Sequence, residues 1–236
     1  MATMMGRTHA MSGLVTGAAV GQFGWHLDLA HLAAGAAVTA GAAVLPDIDH
    51  PDASVAQSFG FVTKAFAWLV EHVSGGHRHG THSLAGIAAF TGAAYAAEHY
   101  RQTLAGQIGL GLLLILVIAS GLRALKIGGH FSDLLAIGTA AGMLYSGFGV
   151  PGVPWAIAAG TATHLAGDML TNEGIPLAWP LSRFHVRLLP EPLAFTTGTR
   201  PERWVVAPLL LVALVWLVWL ATVVARVVPA GHVSLH

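Results

Sequence analysis

The sequence predicts an all-α fold, a polytopic membrane helix bundle of about six to seven transmembrane helices plus one interfacial helix. Three observations predict it. Only 9% of the 236 residues are charged, against about a quarter in a soluble domain, so most of the chain suits a solvent that penalises charge. Hydrophobic residues make up 55% of the chain, and the mean hydropathy is +0.67. The 29 glycines, together with many alanines, are the small residues that let membrane helices approach backbone to backbone.

Apolar stretches place the spans at about 10–25, 29–46, 81–98, 104–122, 132–149, 153–171 and 204–228, each near the roughly 20 residues that a crossing needs. The most uniformly apolar, 104–122 and 205–228, have a lipid-facing character, and the Ala/Gly-rich others are expected inside the bundle. Segment 56–73 differs, because Lys64, Glu71 and His72 interrupt it. Its aromatics Phe59, Phe66 and Trp68 suit a helix lying in the interface. The longest connection, 172–203, carries Trp179, Pro180, Arg183, His185, Arg187 and Pro190 and reads as a lid or a headgroup-level platform. No internal repeat is visible, one domain over 1–236 accounts for the chain, and no cleavable leader is evident.

The chain has no cysteine, which excludes disulfides and thiolate metal sites, so any metal must be held by nitrogen and oxygen. A formal net charge of zero gives no long-range pull on nucleic acid. The 14 histidines outnumber the 11 acidic residues, which hints at metal chemistry. The polar residues are clustered. His9 starts the first span, Asp47 and Asp49 end the second, His77 to His82 start the third, and His164 and Asp168 lie near the end of the sixth. Alternating spans, with 56–73 left in the interface, put all of these at one membrane face. Arg7, Lys64, Arg78, Arg123, Lys126, Arg183, Arg187, Arg200 and Arg203 share that face, and only Arg101 and Arg226 oppose it. The positive-inside rule therefore predicts a cytoplasmic site, with the N-terminus inside and the C-terminus outside.

Three segments carry chemistry. In L-P-D-I-D-H-P (45–51), an extended D-x-D between Pro46 and Pro51 directs the oxygens of Asp47 and Asp49 towards a shared ion. The ordinary alternative for such an Asp is a helix cap or a solvated loop. In H-R-H-G-T-H-S (77–83), imidazoles and an arginine at the mouth of an apolar helix are costly unless used. His82, just inside the helix, is the preferred ligand. His77 is a ligand or a general acid/base, and Arg78 a holder of an anionic oxygen such as phosphate. Thr81 or Ser83 suits a helix cap, and His79 is as readily incidental. In H-L-A-G-D (164–168), His164 and Asp168 sit at i and i+4 on one helical face, where the alternative is a packing hydrogen bond.

His9, a lone histidine, gains weight from its position at the same face. His130 and Asp133 share the face with less to recommend them. His26, Asp28 and His31 form a second cluster at the opposite face and read as a solvated turn, and His232 and His236 are tail residues. The ligand set is then His9, Asp47, Asp49, His82, His164 and Asp168, which suits a divalent ion, zinc first, with manganese or iron as alternatives. A divalent metal-ion transporter and a non-catalytic metal-binding membrane protein are the rival functional classes.

Taken together, His9, L-P-D-I-D-H-P, H-R-x-x-T-H-S and H-x-x-x-D-x-x-T-x-x-G resemble the YdjM family of bacterial inner-membrane metal-dependent hydrolases, over positions 9 to 174. The matching residues are His9, Asp47, Asp49, His77, Arg78, Thr81, His82, Ser83, His164, Asp168, Thr171 and Gly174, whereas position 50 is His where an acidic or varied residue is expected. The resemblance implies an inner-membrane, multi-pass hydrolase in which Asp49 or His77 manages protons and Arg78 stabilises negative charge. The order of His and Asp is also similar, more loosely, to the all-helical zinc-dependent phospholipase C and single-strand nuclease group. That likeness implies a phosphodiester substrate, and a site at headgroup level favours an amphiphilic one, such as a phospholipid or another lipid-linked phosphoester.

Overall fold

The computed structural model describes residues 3–50, 53, 55–191, 194, 196 and 199–227. Pro51, His232, His236, the end of the last expected span and the side chain of Arg226 lie outside the described residues. Eight α-helices run in the order α1 (Thr3–Ala19), α2 (Leu29–Ala42), α3 (Phe61–Val73), α4 (Leu84–His99), α5 (Leu104–Leu125), α6 (Ser132–Ser146), α7 (Val153–Met169) and α8 (Ala207–Val227). Among the described residues the only β pairing is an isolated bridge between Ile175 and Val186. The chain is thus an all-α helical bundle.

Each expected span is present as a helix, but the lengths differ. Leu29–Asp49, Leu104–Leu125 and Glu202–Ala225 are each long and apolar enough to cross a membrane. Gly129–Ser146 and Val150–Met169 meet the same test only as a pair, bent by 110°, which gives up to four crossings by length and composition. The physical reason is reach. A helix of 15 or 16 residues, such as α6 or α4, rises only about 22–24 Å, short of a hydrocarbon core of about 30 Å.

Close helix contact places α2 at the centre, against α1, α5 and α7. A Cβ on Gly13 of α1 would meet Ala43 Cβ at 2.6 Å, and one on Gly160 of α7 would meet Ala42 Cβ at 2.6 Å. Glycine is needed at both positions because any side chain would push α1 and α7 off the end of α2, where the polar residues gather. Helix α5 meets the lipid-facing expectation on one face only. Leu110, Leu114 and Val117 are fully buried and pack with Val38, Leu45, Ile48 and Ile157, while Leu104, Ile108 and Leu112 are exposed, so the outward character holds for one face of α5 and the other face belongs to the core. Helix α8 does keep the outward character, since only 11% of its apolar window is buried. In α3 the exposed Phe61, Phe66 and Trp68 make the amphipathic face expected there, while Phe59 packs partly against the core.

At the far end, Asp28 is the N-cap of α2 and accepts from the backbone N–H groups of Ala30 and His31 at 2.9 and 3.0 Å. Its other oxygen lies 2.6 Å from His31 Nδ1. The backbone bond from His31, with help from the imidazole, holds this carboxyl below its ordinary range. The turn read as merely solvated is therefore a helix cap. His26 lies in the same turn, with a left-handed φ of 51°.

Candidate metal centre

The five residues His9, Asp47, His82, His164 and Asp168 come together from four segments of chain. Helix α1 carries His9, and α7 carries His164 and Asp168 on one face near its C-terminal end. Asp47 sits in a 3₁₀ turn, Leu45–Asp49, that prolongs α2 after Pro46. His82 stands just outside α4, because Ser83 is the N-cap and its hydroxyl accepts from Gly86 N–H at 3.3 Å. Of the two residues expected to cap, Ser83 is the one that does.

The donors form two overlapping groups that share His164: His9, His164 and Asp168, and Asp47, His82 and His164. His82 Nε2 lies 3.2 Å from His164 Nε2, 3.4 Å from Asp47 Oδ1 and 3.5 Å from Asp168 Oδ2. His164 Nε2 lies 3.4 Å from Asp168 Oδ2 and 3.7 Å from Asp47 Oδ1, and His9 Nε2 lies 3.3 Å from Asp168 Oδ1. Donors about 2.0–2.2 Å from one tetrahedral ion are about 3.3–3.6 Å apart, so the observed spacing is that of a coordination shell. Asp168 is 1% exposed, and neither of its oxygens accepts a hydrogen bond. The Arg78 guanidinium, 3.6 Å from Oδ1, meets part of this charge, but Oδ2 faces only the Nε2 atoms of His82 and His164, where a buried carboxylate oxygen is costly unless a further cation meets it. These residues fit a divalent ion.

A second layer orients the imidazoles. His164 Nδ1 donates to the carbonyl of Ala43 at 2.8 Å, which leaves Nε2 free to face the cluster, and the His9 ring stacks on it at 3.9 Å. Thr81 Oγ1 donates to Asp49 Oδ2 at 2.6 Å and lies 3.0 Å from His82 Nδ1, so the hydroxyl relays the carboxylate to the imidazole. Asp49 itself departs from the ligand expectation. Its Oδ1 is 2.8 Å from His77 Nδ1, and its Oδ2 also accepts from the Arg78 backbone N–H at 3.1 Å. It lies outside both donor groups and organises the His77–His82 turn. The correction has a geometric cause: Leu45–Asp49 is a 3₁₀ turn, not an extended D-x-D, and at about three residues per turn the two carboxylates diverge by about 120°.

His77 is 36% exposed and sits at the mouth, edge-on to His82 at 5.5 Å. Arg78, with a left-handed φ of 60°, places its guanidinium 3.6 Å from Asp168 Oδ1 and in an ion pair with Glu173. His79 Nδ1 bonds the His77 carbonyl at 3.0 Å and serves the turn. Thr171 closes α7 by donating to the Asp168 carbonyl at 2.7 Å. Asp133 is engaged by Arg123 in a two-pronged ion pair, and His130 lies in the turn before α6, so neither joins the cluster. The segment after α7 lies across the site: Leu177 O accepts from Leu84 N–H at 3.0 Å, and Leu188 N–H donates to Met169 O at 2.8 Å.

The residue reading missed the Ala43 carbonyl, Glu173 and the buried Glu202, which accepts from the Thr8 hydroxyl next to His9. A backbone carbonyl leaves no mark in sequence. Glu202 and Glu173 do leave one, as single acids beside the last apolar span and the T-N-E-G turn. Replacing Thr81 by Val keeps the shape and removes the relay. Metal affinity is then expected to fall about 10–100-fold with the helical content unchanged, as read by metal titration and circular dichroism.

With the geometry in place, the comparison with known families is specific. The sequence profile of the family described as YdjM inner membrane protein matches residues 4–229. No curated protein and no solved structure matches the chain.

Proposed function

Because the chain belongs to the YdjM inner membrane protein family, we propose that its buried His/Asp cluster is the centre of a membrane-embedded, metal-dependent hydrolase acting on phosphoester or lipid-type substrates. The observation that carries this reading is Asp168, buried and without a hydrogen-bond donor, with imidazole nitrogens of His9, His82 and His164 at 3.3–3.5 Å. His9, Asp47, His82, His164 and Asp168 would hold the ion, with zinc preferred over manganese or iron for this nitrogen and oxygen set. A bound divalent ion supplies Lewis-acid polarisation and a lowered water pKa.

The chain's own residues supply the rest. His77 Nδ1 is engaged by Asp49 Oδ1 at 2.8 Å, which leaves Nε2 at the mouth to take or give a proton. Asp49 is fully buried and its oxygens are in use, so it orients His77 in place of handling protons itself. Arg78, beside Asp168, supplies positive charge where negative charge would develop. The charge bias of the loops supports a cytoplasmic site on a multi-pass protein of the inner membrane, open to amphiphiles at headgroup level.

The test is metal analysis of the detergent-purified protein, followed by a phosphoester and phospholipid hydrolysis screen with the metal found. Stoichiometric divalent metal and turnover of a phosphoester are expected. Protein that is folded, metal-free after metal loading and inert on every ester would overturn the proposal.

A further inference from the structure

We infer that Arg78 and the recess behind Glu173 form a subsite for the phosphate group of the substrate, and that the Glu173 carboxylate stands in for that phosphate in the free protein. The inference rests on the hydrolytic reading of the cluster and narrows its substrate class to phosphomonoesters. Arg78 bridges two carboxylates of different kinds. On one side its Nη2 lies 3.6 Å from Oδ1 of the buried Asp168, and on the other its Nη1 pairs with Oε2 of Glu173, which is 67% exposed. The Arg78 side chain is only 12% exposed, and its Nη1 is occupied by the far more exposed Glu173.

Both partners are held there by backbone geometry. Arg78 adopts a φ of 60°, which a non-glycine residue keeps only when its surroundings enforce it, and its N–H is tied to Asp49 Oδ2 at 3.1 Å. Glu173 precedes Gly174, which has a φ of 62° and whose Cβ, if present, would meet the Val186 carbonyl at 2.6 Å. Only glycine fits there, so the turn that presents Glu173 is pressed against the Val186–Arg187 segment.

Beyond Glu173 opens a recess of about 640 Å³ lined by Asn172, Glu173, His185, Arg187 and Glu191 together with Phe184 and Leu188. This is the size of a small-molecule site. Arg187 faces the same recess, with its Nη1 at 3.4 Å from the Asn172 carbonyl and 3.5 Å from Glu191. A phosphate entering here would have Arg78 on the cluster side and Arg187 on the outer side.

The charge balance favours exchange. A half-solvated Arg–Glu pair is weakly held. A phosphomonoester or free phosphate brings up to two charges and at least three terminal oxygens to the guanidinium fork, so it exceeds the carboxylate that it replaces, whereas a singly charged diester does not. A carboxylate ligand gains nothing over Glu173. The subsite therefore selects phosphate over acetate.

The experiment titrates inorganic phosphate into metal-loaded, detergent-purified protein by calorimetry, with acetate as the control anion and metal content measured on each sample. Glu173→Gln is expected to bind phosphate about two- to fivefold more tightly at unchanged metal content, because the carboxylate that is lost is 67% exposed and its attraction is screened by water. Arg78→Gln is expected to lose at least about fivefold. Glycerol phosphate and phosphatidic acid in mixed micelles form two further arms. Tightening in Glu173→Gln for either one supports the subsite and tells a soluble phosphoester from a lipid headgroup. Equal phosphate affinity in wild type and Glu173→Gln, or equal tightening for acetate, overturns the inference. Phosphate tightening in a protein that hydrolyses no ester would instead leave the subsite standing and remove the hydrolytic reading.

Discussion

Asp168→Asn is expected to leave the purified protein without tightly bound divalent metal, lowering metal affinity by more than about 100-fold, and to abolish hydrolysis. The asparagine has the same shape, so helix α7 and the packing of Gly160 against α2 need not move. What changes is charge. Three imidazole nitrogens face this side chain at 3.3–3.5 Å, and a neutral amide offers one weak oxygen where the carboxylate offers two charged ones. Loss of an outer partner alone typically costs 10–100-fold in metal affinity, and a direct ligand costs more. Metal per chain after dialysis, measured alongside circular dichroism, reads the effect. A folded Asp168→Asn protein that keeps its full metal content would show that the buried carboxylate is no ligand.

The second large effect is kinetic. His77→Gln is expected to lower kcat by about 10²–10⁴ on the substrate found by the screen while leaving metal content unchanged. Glutamine can still donate to Asp49 Oδ1, now 2.8 Å from His77 Nδ1, so the turn that carries Thr81 and His82 is preserved. It cannot exchange a proton near neutral pH. This separates a proton-handling role from a merely structural one, and a hydrolase from a passive metal-binding protein. Full activity in His77→Gln would assign the proton to another group.

The two variants probe different layers of one design. Asp168 lies inside the cluster, 1% exposed, whereas His77 lies at its mouth and is 36% exposed. Loss of metal in the first and its retention in the second would together place the chemistry at the boundary between the buried donors and the overlying 172–191 segment.

Much of this was legible in sequence. Scarce charge and abundant glycine specified apolar helices, and the expense of burying His or Asp in such helices singled out His9, Asp47, Asp49, His82, His164 and Asp168 before any contact was known, of which all but Asp49 fall in the two donor groups. The i, i+4 spacing of His164 and Asp168 survives because α7 is a regular helix through Met169. Other features were hidden. Whether a short apolar stretch crosses alone or as part of a bent pair depends on how the next helix turns, and the 110° bend between α6 and α7 goes with their different partners, α6 packing on α5 and α7 on α2 and α4. The core position of α5 is equally invisible, since Leu110 and Leu114 look the same against lipid as against Val38 and Ile157.

The sequence by itself determined the helical class, the membrane character and the donor types, because hydropathy and ligand chemistry are properties of single residues and of their spacing along a helix. Tertiary structure decided which donors meet. It took the 3₁₀ turn at Leu45–Asp49 to send Asp47 inward and Asp49 towards His77, and the close approach of α1 and α7 to α2 to bring His9, His164 and the Ala43 carbonyl together. Those choices depend on side-chain direction and on contacts between residues far apart in the chain, which no local pattern encodes.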